Sequence, residues 1–194
     1  MDRKDIIKSH LVESAAVKLR VGDVCIPAIS TAIDLIENAF RSGRKLMICG
    51  NGGSAADAQH MAAEFVGRLS KELDRPSLPA LALTTDTSFL TSYSNDCGYE
   101  GVFARQIEGL GKQGDVLLGI STSGGSRNIL EAIKQCQKMG IFVVVLAGED
   151  GLREGTADAV IAVPSKNTQF IQESHLSIEH IICDQVEQRL YGQF

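Results

Sequence analysis

The sequence predicts an α/β fold in which a parallel sheet is covered by helices on both faces. Strand-like and helix-like segments alternate along the 194 residues, and the strand-like runs are short and apolar, without the alternating polar residues of a half-exposed strand. Strands of this kind are typical of parallel sheets that are buried on both sides. With 44% hydrophobic and 22% charged residues, the composition is that of an ordinary globular protein. We therefore predict a single domain over residues 1–194.

The individual elements follow from hydrophobic periodicity and from the residues that interrupt it. Helices are predicted over residues 3–20 and 28–41, and we expect this N-terminal part, about residues 1–41, to pack on the domain and on a partner subunit. The remaining predicted helices span residues 53–69, 87–94, 99–110, 127–139 and 168–191, and the predicted strands span residues 45–49, 80–84, 115–120, 141–146 and 158–163. Prolines break the chain at Arg75-Pro76 and Leu78-Pro79, and a loop is predicted at Asn95-Asp96-Cys97-Gly98.

Composition and charge exclude several classes of function. The formal net charge is −5, and no run of Lys and Arg is longer than a pair, which argues against a surface for nucleic acid or anionic membranes. No apolar run reaches the length needed to span a membrane, and the first residues lack the hydrophobic core of a signal peptide. The five cysteines are scattered without a C-x-x-C pair and are interpreted as reduced, mostly buried thiols. We therefore expect a cytoplasmic protein.

Two glycine- and serine-rich turns each follow a predicted strand and precede a predicted helix. The first is Gly50-Asn51-Gly52-Gly53-Ser54, and the second is Ser121-Thr122-Ser123-Gly124-Gly125-Ser126. Such turns direct backbone N–H groups and hydroxyls at a helix N-terminus, where the partial positive charge favours a phosphate. Because ligands collect at the carboxyl ends of parallel strands, two such turns at one edge of a sheet indicate a binding site more strongly than either turn alone.

Two other interpretations of the turns remain open. Either turn could be purely structural. The spacing Gly50-x-Gly52-x-x-Ala55 also fits a loose form of the dinucleotide-binding fingerprint. That fingerprint requires an acidic residue near the end of the second strand, where Asp86 is the only candidate, and a dinucleotide would leave the serine-rich turn unused.

Polar side chains recur at three- or four-residue steps in the predicted helix 53–69, namely Asp57, His60, Glu64 and Arg68. Gln172 and His180 lie about two turns apart on roughly the same side of the last predicted helix. Two imidazoles, a carboxylate and an amide oxygen could together hold zinc, although a polar stripe of this kind is also typical of a solvated helix face. Two further histidines are interpreted as surface residues: His10 and His175.

Several motifs in one order along the chain resemble those of the phosphoheptose isomerase family, whose members are sugar isomerase (SIS) domain enzymes. They are Gly50 to Ser54, Asp57 to His60, Ala63-Glu64, Arg75-Pro76, Asn95-Asp96, Gly114 to Ser126 and Ile171-Gln172-Glu173-x-His175. The resemblance covers about residues 28–191 and implies a three-layer α/β/α sandwich with a five-stranded parallel sheet. It also implies the conversion of D-sedoheptulose 7-phosphate to D-glycero-D-manno-heptose 7-phosphate, the first step toward the ADP- or GDP-activated heptoses of bacterial surface polysaccharide.

The same resemblance implies roles for individual residues. The phosphate would be held by Ser121, Thr122, Ser123 and Ser126. The sugar would contact Asn51, Gly52, Gly53, Ser54, Asn95, Asp96, Glu64 and Gln172. One zinc ion per subunit would be bound by His60, Glu64, Gln172 and His180, with Glu64 as catalytic base and His180 as catalytic acid. The family is typically homotetrameric, with sites at subunit interfaces.

The residue types suit this chemistry. A ketose becomes an aldose when a proton leaves C1 and one arrives at C2 through a cis-enediol. A carboxylate can remove the first proton, and an imidazole releases and accepts protons near neutral pH. Zinc would either polarise the substrate or only set the shape of the site.

Two classes of protein without this activity remain as alternatives. One is a non-catalytic SIS paralogue that binds a sugar phosphate or a replication-initiator protein and lacks the glutamate that aligns with Glu64. The other is a regulatory sugar-phosphate sensor, which usually carries a DNA-binding domain that this sequence has no room for.

Overall fold

Five parallel strands in the order β2-β1-β3-β4-β5 form the central sheet of the computed structural model, which describes residues 2–152 and 157–192. The strands are β1 (Leu46–Gly50), β2 (Ala80–Ala82), β3 (Val116–Ser121), β4 (Phe142–Ala147) and β5 (Ala159–Ala162). Gly50 at the end of β1 lies opposite Ile120, and Ser121 at the end of β3 lies opposite Ala147. The two glycine- and serine-rich turns therefore begin side by side at the carboxyl edge of the sheet.

Helices cover both faces of the sheet, so that the predicted three-layer α/β/α sandwich is confirmed. They are α1 (Arg3–Val24), α2 (Ile26–Arg41), α3 (Gly53–Val66), α4 (Thr87–Cys97), α5 (Val102–Leu110), α6 (Arg127–Met139) and α7 (Thr168–Tyr191), with a 3₁₀ turn at Tyr99–Gly101. Side chains alternate across each strand. Leu46 and Ile48 face the core formed with α1, α2, α3 and α7, whereas Met47 and Cys49 face the core formed with α5 and α6.

Several predicted boundaries differ from the structure. Helix α3 ends at Val66, so Arg68 lies beyond the helix whose polar face it was predicted to share. Helix α4 continues to Cys97, so Asn95 and Asp96 are helical and the predicted loop is wrong. The helix ends where Gly98 adopts a φ of 87° and its N–H bonds to the Ser94 carbonyl at 3.1 Å. A backbone conformation that glycine adopts readily, rather than the polar pair before it, sets this boundary.

The interpretation of His175 as a surface residue is also wrong. Helix α7 packs against the sheet and against α1, α2 and α3, and His175 is fully buried. Its Nε2 lies 3.1 Å from the carbonyl oxygen of Ala147, at the end of β4. Burial lowers the pKa of this imidazole to about 4, so it is neutral at physiological pH. His10 is partly exposed, and its ring packs edge to face with that of Phe170.

The cysteines are mostly buried, as the sequence analysis expects. All five cysteines are free, four of them buried and Cys97 exposed. Within residues 2–152 and 157–192, no helix has both the length and the apolar character needed to cross a bilayer.

Candidate functional site

Helices α3 and α7 run side by side in the same direction and carry most of the polar side chains of the candidate site. Three contacts follow one another in the same order along both helices: Asp57 with Gln172, His60 with His180, and the Leu69 N–H just after α3 with Glu187. These partners are more than a hundred residues apart in the sequence. The parallel course of the two helices therefore turns two separate polar stripes into one continuous polar seam that leads to the carboxyl edge of the sheet.

The middle of this seam contains two imidazoles and a carboxylate. His60 Nε2 lies 2.8 Å from His180 Nε2, so one ring donates its N–H to the other. The rings meet edge to face, with centroids 5.0 Å apart. Glu64 Oε1 lies 3.7 Å from His60 Nε2. All three side chains are partly exposed, so a bound molecule can reach them. Three of the four residues that the resemblance implies for zinc thus meet around His60, which lies within 4 Å of both of the others.

The donor chemistry of this cluster suits zinc, but the spacing of the imidazoles is that of a hydrogen bond. Among residues 2–152 and 157–192, no set of three His, Cys, Asp or Glu side chains is already arranged to hold a metal ion. Nitrogen ligands at 2.0–2.1 Å from one tetrahedral zinc lie about 3.3 Å apart. His60 and His180 would therefore have to separate by about 0.5 Å and give up the proton that they share.

Gln172 lies at the end of the polar seam that is nearer to the carboxyl edge of the sheet, between Asp57 and Gly53. Its Nε2 donates to Asp57 Oδ2 at 3.1 Å. A Cβ atom on Gly53 would overlap the Gln172 amide, so the absence of a side chain makes room for this group. Burial raises the pKa of Asp57, against the opposing effects of the Gln172 hydrogen bond and the His60 charge. Asp57 thus holds the amide nitrogen and leaves the amide oxygen available to another partner.

The serine-rich turn gathers hydroxyls at the N-terminus of α6. Ser121 Oγ donates to Ser126 Oγ at 3.0 Å, and Ser123 Oγ accepts the Gly125 N–H at 3.3 Å. Gly124 has a φ of 63°, and a Cβ atom there would overlap the Gly151 carbonyl. Thr122 and Ser123 also line a cavity of about 240 Å³. The turn thus offers hydroxyls and backbone N–H groups to an anion without a basic side chain of its own.

A pair of asparagines joins the turn Gly50–Ser54 to helix α6, which follows the serine-rich turn. Asn51 Nδ2 donates to Asn128 Oδ1 at 2.9 Å, and Asn128 Nδ2 donates to Asn51 Oδ1 at 2.8 Å. Ser54 is buried at the start of α3, whereas Gly52 and Gly53 are exposed. Asn128 was missed by the sequence analysis. A signal existed, because this polar residue stands one turn before Ala132 on the buried face of α6.

Asn95 and Asp96 are not brought to the two turns. Both are exposed at the end of α4, and Asn95 Nδ2 donates to Asp96 Oδ1 at 2.9 Å. Within the part of the chain that the structure describes, neither side chain bonds to a residue of either turn. One subunit alone therefore does not unite all the residues that the resemblance implies for the sugar.

Helix α7 also carries a buried carboxyl group. Glu179 precedes His180 on α7, is fully buried, and has no hydrogen-bond partner for either carboxyl oxygen among the described residues. Burial, and secondly the negative charge of Asp57, raise the pKa of this group to about 8. Sequence analysis missed Glu179, because the apolar surroundings of this position come from other helices.

A buried arginine, Arg75, holds the two helices together at the other end of the polar seam. The Arg75 guanidinium donates to the carbonyl oxygens of Glu64 and Phe65, each at 2.8 Å, and also to the carboxylate of Glu187 on α7. It therefore caps the last turn of α3, where a positive charge is favourable, and ties that turn to α7. The backbone of Glu64 is held at the point from which its side chain reaches the imidazoles.

Comparison with known proteins relates the chain to one family. The SIS domain family model matches residues 12–148. The phosphoheptose isomerase of Sulfurimonas denitrificans is 48% identical over 192 residues, covering 97% of each chain. That of Synechocystis sp. is 53% identical over 167 residues, covering 86% of this chain and 85% of its own.

Solved structures agree with the sequence comparison. The phosphoheptose isomerase from Francisella tularensis superposes with a TM-score of 0.91 at 35% identity, covering 97% of this chain and 100% of its own. The enzyme from Neisseria gonorrhoeae gives a TM-score of 0.87 at 38% identity, covering 96% of this chain and 100% of its own.

Proposed function

This chain belongs to the SIS domain family, and from that premise we propose that it isomerises D-sedoheptulose 7-phosphate to D-glycero-D-manno-heptose 7-phosphate. Its similarity to phosphoheptose isomerases over almost the whole of both chains supports an isomerase of phosphorylated heptoses. The observation that carries the proposal is that Glu64, His60 and His180 meet between α3 and α7, near two glycine- and serine-rich turns of the kind that bind phosphate. The reaction would be the first step toward activated heptoses for bacterial surface polysaccharide.

The serine-rich turn is the proposed phosphate site. Ser121, Thr122, Ser123 and Ser126 supply hydroxyls at the N-terminus of α6, where the helix dipole favours an anion. The sugar then extends toward Gly52 and the polar seam. A phosphate fixed at one end of the substrate lets its binding energy orient the reacting carbons at the other end.

Glu64 and His180 are the proposed acid–base pair. Glu64 removes the proton from C1, whose electron pair forms the C1–C2 double bond while the carbonyl electrons of C2 move to O2. The hydrogen on O1 then passes to O2 across the cis-enediolate, and O1 forms a double bond to C1 as His180 delivers a proton to C2. Exchange with solvent removes the proton from Glu64 and reprotonates His180. No atom is gained or lost. Glu64 lies 3.7 Å from His60, which itself contacts His180, so the two proposed catalytic groups lie on either side of one imidazole.

We further propose one zinc ion per subunit, held by His60, Glu64, Gln172 and His180. A bound zinc would polarise substrate oxygens and stabilise the charge of an enediolate. Calorimetric titration of metal-free protein should give a stoichiometry of one, and His60→Ala should weaken the binding by about 10-fold or more. Unchanged zinc affinity in His60→Ala would remove this residue from the metal site.

A homotetramer is also part of the proposal. Ile7, Leu11 and Leu19 of α1 are 56%, 64% and 74% exposed, which is typical of a surface that is covered in an assembly. A second copy of the chain could cover them and bring Asn95 and Asp96 to a neighbouring site. Light scattering after size-exclusion chromatography measures the mass directly. A cytoplasmic location, where the free cysteines stay reduced, completes the proposal.

The decisive experiment follows product and proton exchange together by NMR. In deuterated water, the wild type should form the aldose and exchange a C1 proton of sedoheptulose 7-phosphate. Glu64→Gln should keep its fold but lose about 10²–10⁴-fold in turnover. Near wild-type turnover in Glu64→Gln would assign the base elsewhere. A wild type that binds the sugar phosphate without product or exchange would favour the non-catalytic paralogue.

A further inference from the structure

We propose that Asn128 is a positioning residue that holds the first turn and the phosphate-binding helix at a fixed separation. Through Asn51 it would set the distance between the anchored phosphate and the reacting carbons. The inference rests on the proposed function, because it concerns how an isomerase of this kind uses a phosphate at the far end of its substrate.

The two asparagines form a closed pair. Each amide donates one N–H to the oxygen of the other, at 2.9 and 2.8 Å. The Ile129 N–H also donates to Asn128 Oδ1 at 3.0 Å, which fixes which side of the Asn128 amide carries the oxygen. Asn128 is 4% exposed, so water does not compete for these hydrogen bonds as it does at the surface. The orientation of Asn51 is therefore set by the backbone of α6.

The pair links two units that continue from different strands of the sheet. The turn Gly50–Ser54 runs from β1 into α3, whereas Asn128 lies at the start of α6, which follows β3. Within residues 2–152 and 157–192, it is the one hydrogen-bonded side-chain contact between residues 50–66 and residues 121–139. A movement of α6 relative to the first turn would break both hydrogen bonds at once.

Asn51 keeps the capacity to bind a ligand while it is held. A primary amide has two N–H donors and two acceptor lone pairs, and the pair uses one of each. The side chain of Asn51 is partly exposed, so its second N–H and second lone pair remain available to a hydroxyl of the substrate. Asn128 is buried and has no such access, which separates its role from that of a ligand-contacting residue.

The consequence for the reaction is a coupling of the two ends of the substrate. The phosphate is held at the N-terminus of α6, and the reacting carbons lie near α3 and α7. If the spacing between these parts loosens, phosphate binding no longer places C1 and C2 accurately against the acid–base groups. Loss of the pair should then lower kcat while leaving the phosphate site itself intact.

Two substitutions test this. Asn128→Ala removes the side chain, whereas Asn128→Asp keeps its volume and the acceptor for the Ile129 N–H but loses the donor to Asn51. For both we expect kcat to fall about 10- to 100-fold, with the inhibition constant of inorganic phosphate changed less than about twofold. The matched control is Asn167→Ala, because the Asn167 side chain also accepts a backbone N–H, from Gln169, at the start of a helix but has no hydrogen bond to another helix or strand among the residues that the structure describes. It should leave kcat unchanged.

Calorimetric binding provides a readout that does not need turnover. The ratio of the affinities for sedoheptulose 7-phosphate and inorganic phosphate should fall at least about fivefold in Asn128→Asp. Wild-type kcat in Asn128→Asp, or equal losses for both ligands in the two variants, would overturn the inference and leave Asn128 as a helix cap. If the wild type has no turnover, the proposed function fails by itself, and an unchanged affinity ratio would separately overturn the role of Asn128.

Discussion

Replacement of Glu179 by glutamine should change the pH dependence of stability in a predictable direction. Glu179 on α7 is fully buried, and its pKa is raised from 4.5 to about 8. Between these two values the folded protein retains a proton that the unfolded chain has released. The free energy of unfolding therefore decreases as pH rises through this interval and levels off above about pH 8. Glutamine has nearly the same shape and does not titrate, so the variant should lack this decrease.

The magnitude follows from the two pKa values of the same carboxyl group. Each pH unit over which the folded state holds one extra proton costs about 1.4 kcal/mol. For a pKa of 4.5 in the unfolded chain and about 8 in the folded protein, the decrease between pH 5 and pH 8 sums to about 3.5 kcal/mol. Burial of the glutamine amide lowers the stability of the variant by an amount that does not depend on pH. The free energy of unfolding of the variant minus that of the wild type should therefore rise by about 3.5 kcal/mol from pH 5 to pH 8.

Urea unfolding of metal-free protein at one protein concentration, measured at several pH values between 5 and 8, provides the test. The buried His175, whose pKa is lowered, reduces stability as pH falls below about 6.5, but it does so equally in both proteins and cancels in the difference. Glu108→Gln is the matched control, because Glu108 is exposed and pairs with Arg105 across one turn of the same helix. A difference between Glu179→Gln and wild type that changes by less than about 1 kcal/mol over this range would refute the assigned burial effect.

Three further substitutions test other parts of the site. Ser123→Ala should raise KM by about 10- to 100-fold with little change in kcat, because a hydrogen bond to a charged group contributes about 1.5–3 kcal/mol. An unchanged KM in steady-state kinetics would remove Ser123 from the phosphate site. Gly53→Ala should displace the Gln172 amide and lower kcat about 10²-fold, and wild-type kcat would contradict this packing. Arg75→Met leaves Glu187 buried without its counter-charge and should cost about 3–5 kcal/mol in urea unfolding; a loss below about 1 kcal/mol would show that Glu187 finds another partner.

The fold and the two turns could be predicted because their signals are local. Apolar strands such as Val116–Ser121 are short and uninterrupted, and a turn of glycine and hydroxyl residues follows directly. In a parallel sheet the strand ends meet at one edge whatever the order of the strands. The positions of the two turns relative to each other therefore followed from the sequence pattern alone.

The residues that sequence analysis misplaced or missed depend on packing between distant elements. Helix α7 is covered on several sides, so it lacks a single apolar stripe, and nothing in its own pattern distinguishes buried His175 and Glu179 from the partly exposed His180. The partner of Asn128 lies 77 residues away. Such contacts become visible only when the relative positions of the helices are known.

Helix α7 also determines when one core of a newly made chain can form in full. It follows all five strands in the sequence, yet Ile178, Ile182 and Val186 of this helix cover one face of the sheet, and His180 is one of its residues. A nascent chain that has already produced every strand still lacks one of the helices that cover this face and has only the α3 half of the polar seam. On the ribosome, completion of this core and assembly of the site are therefore expected together, when α7 emerges from the exit tunnel.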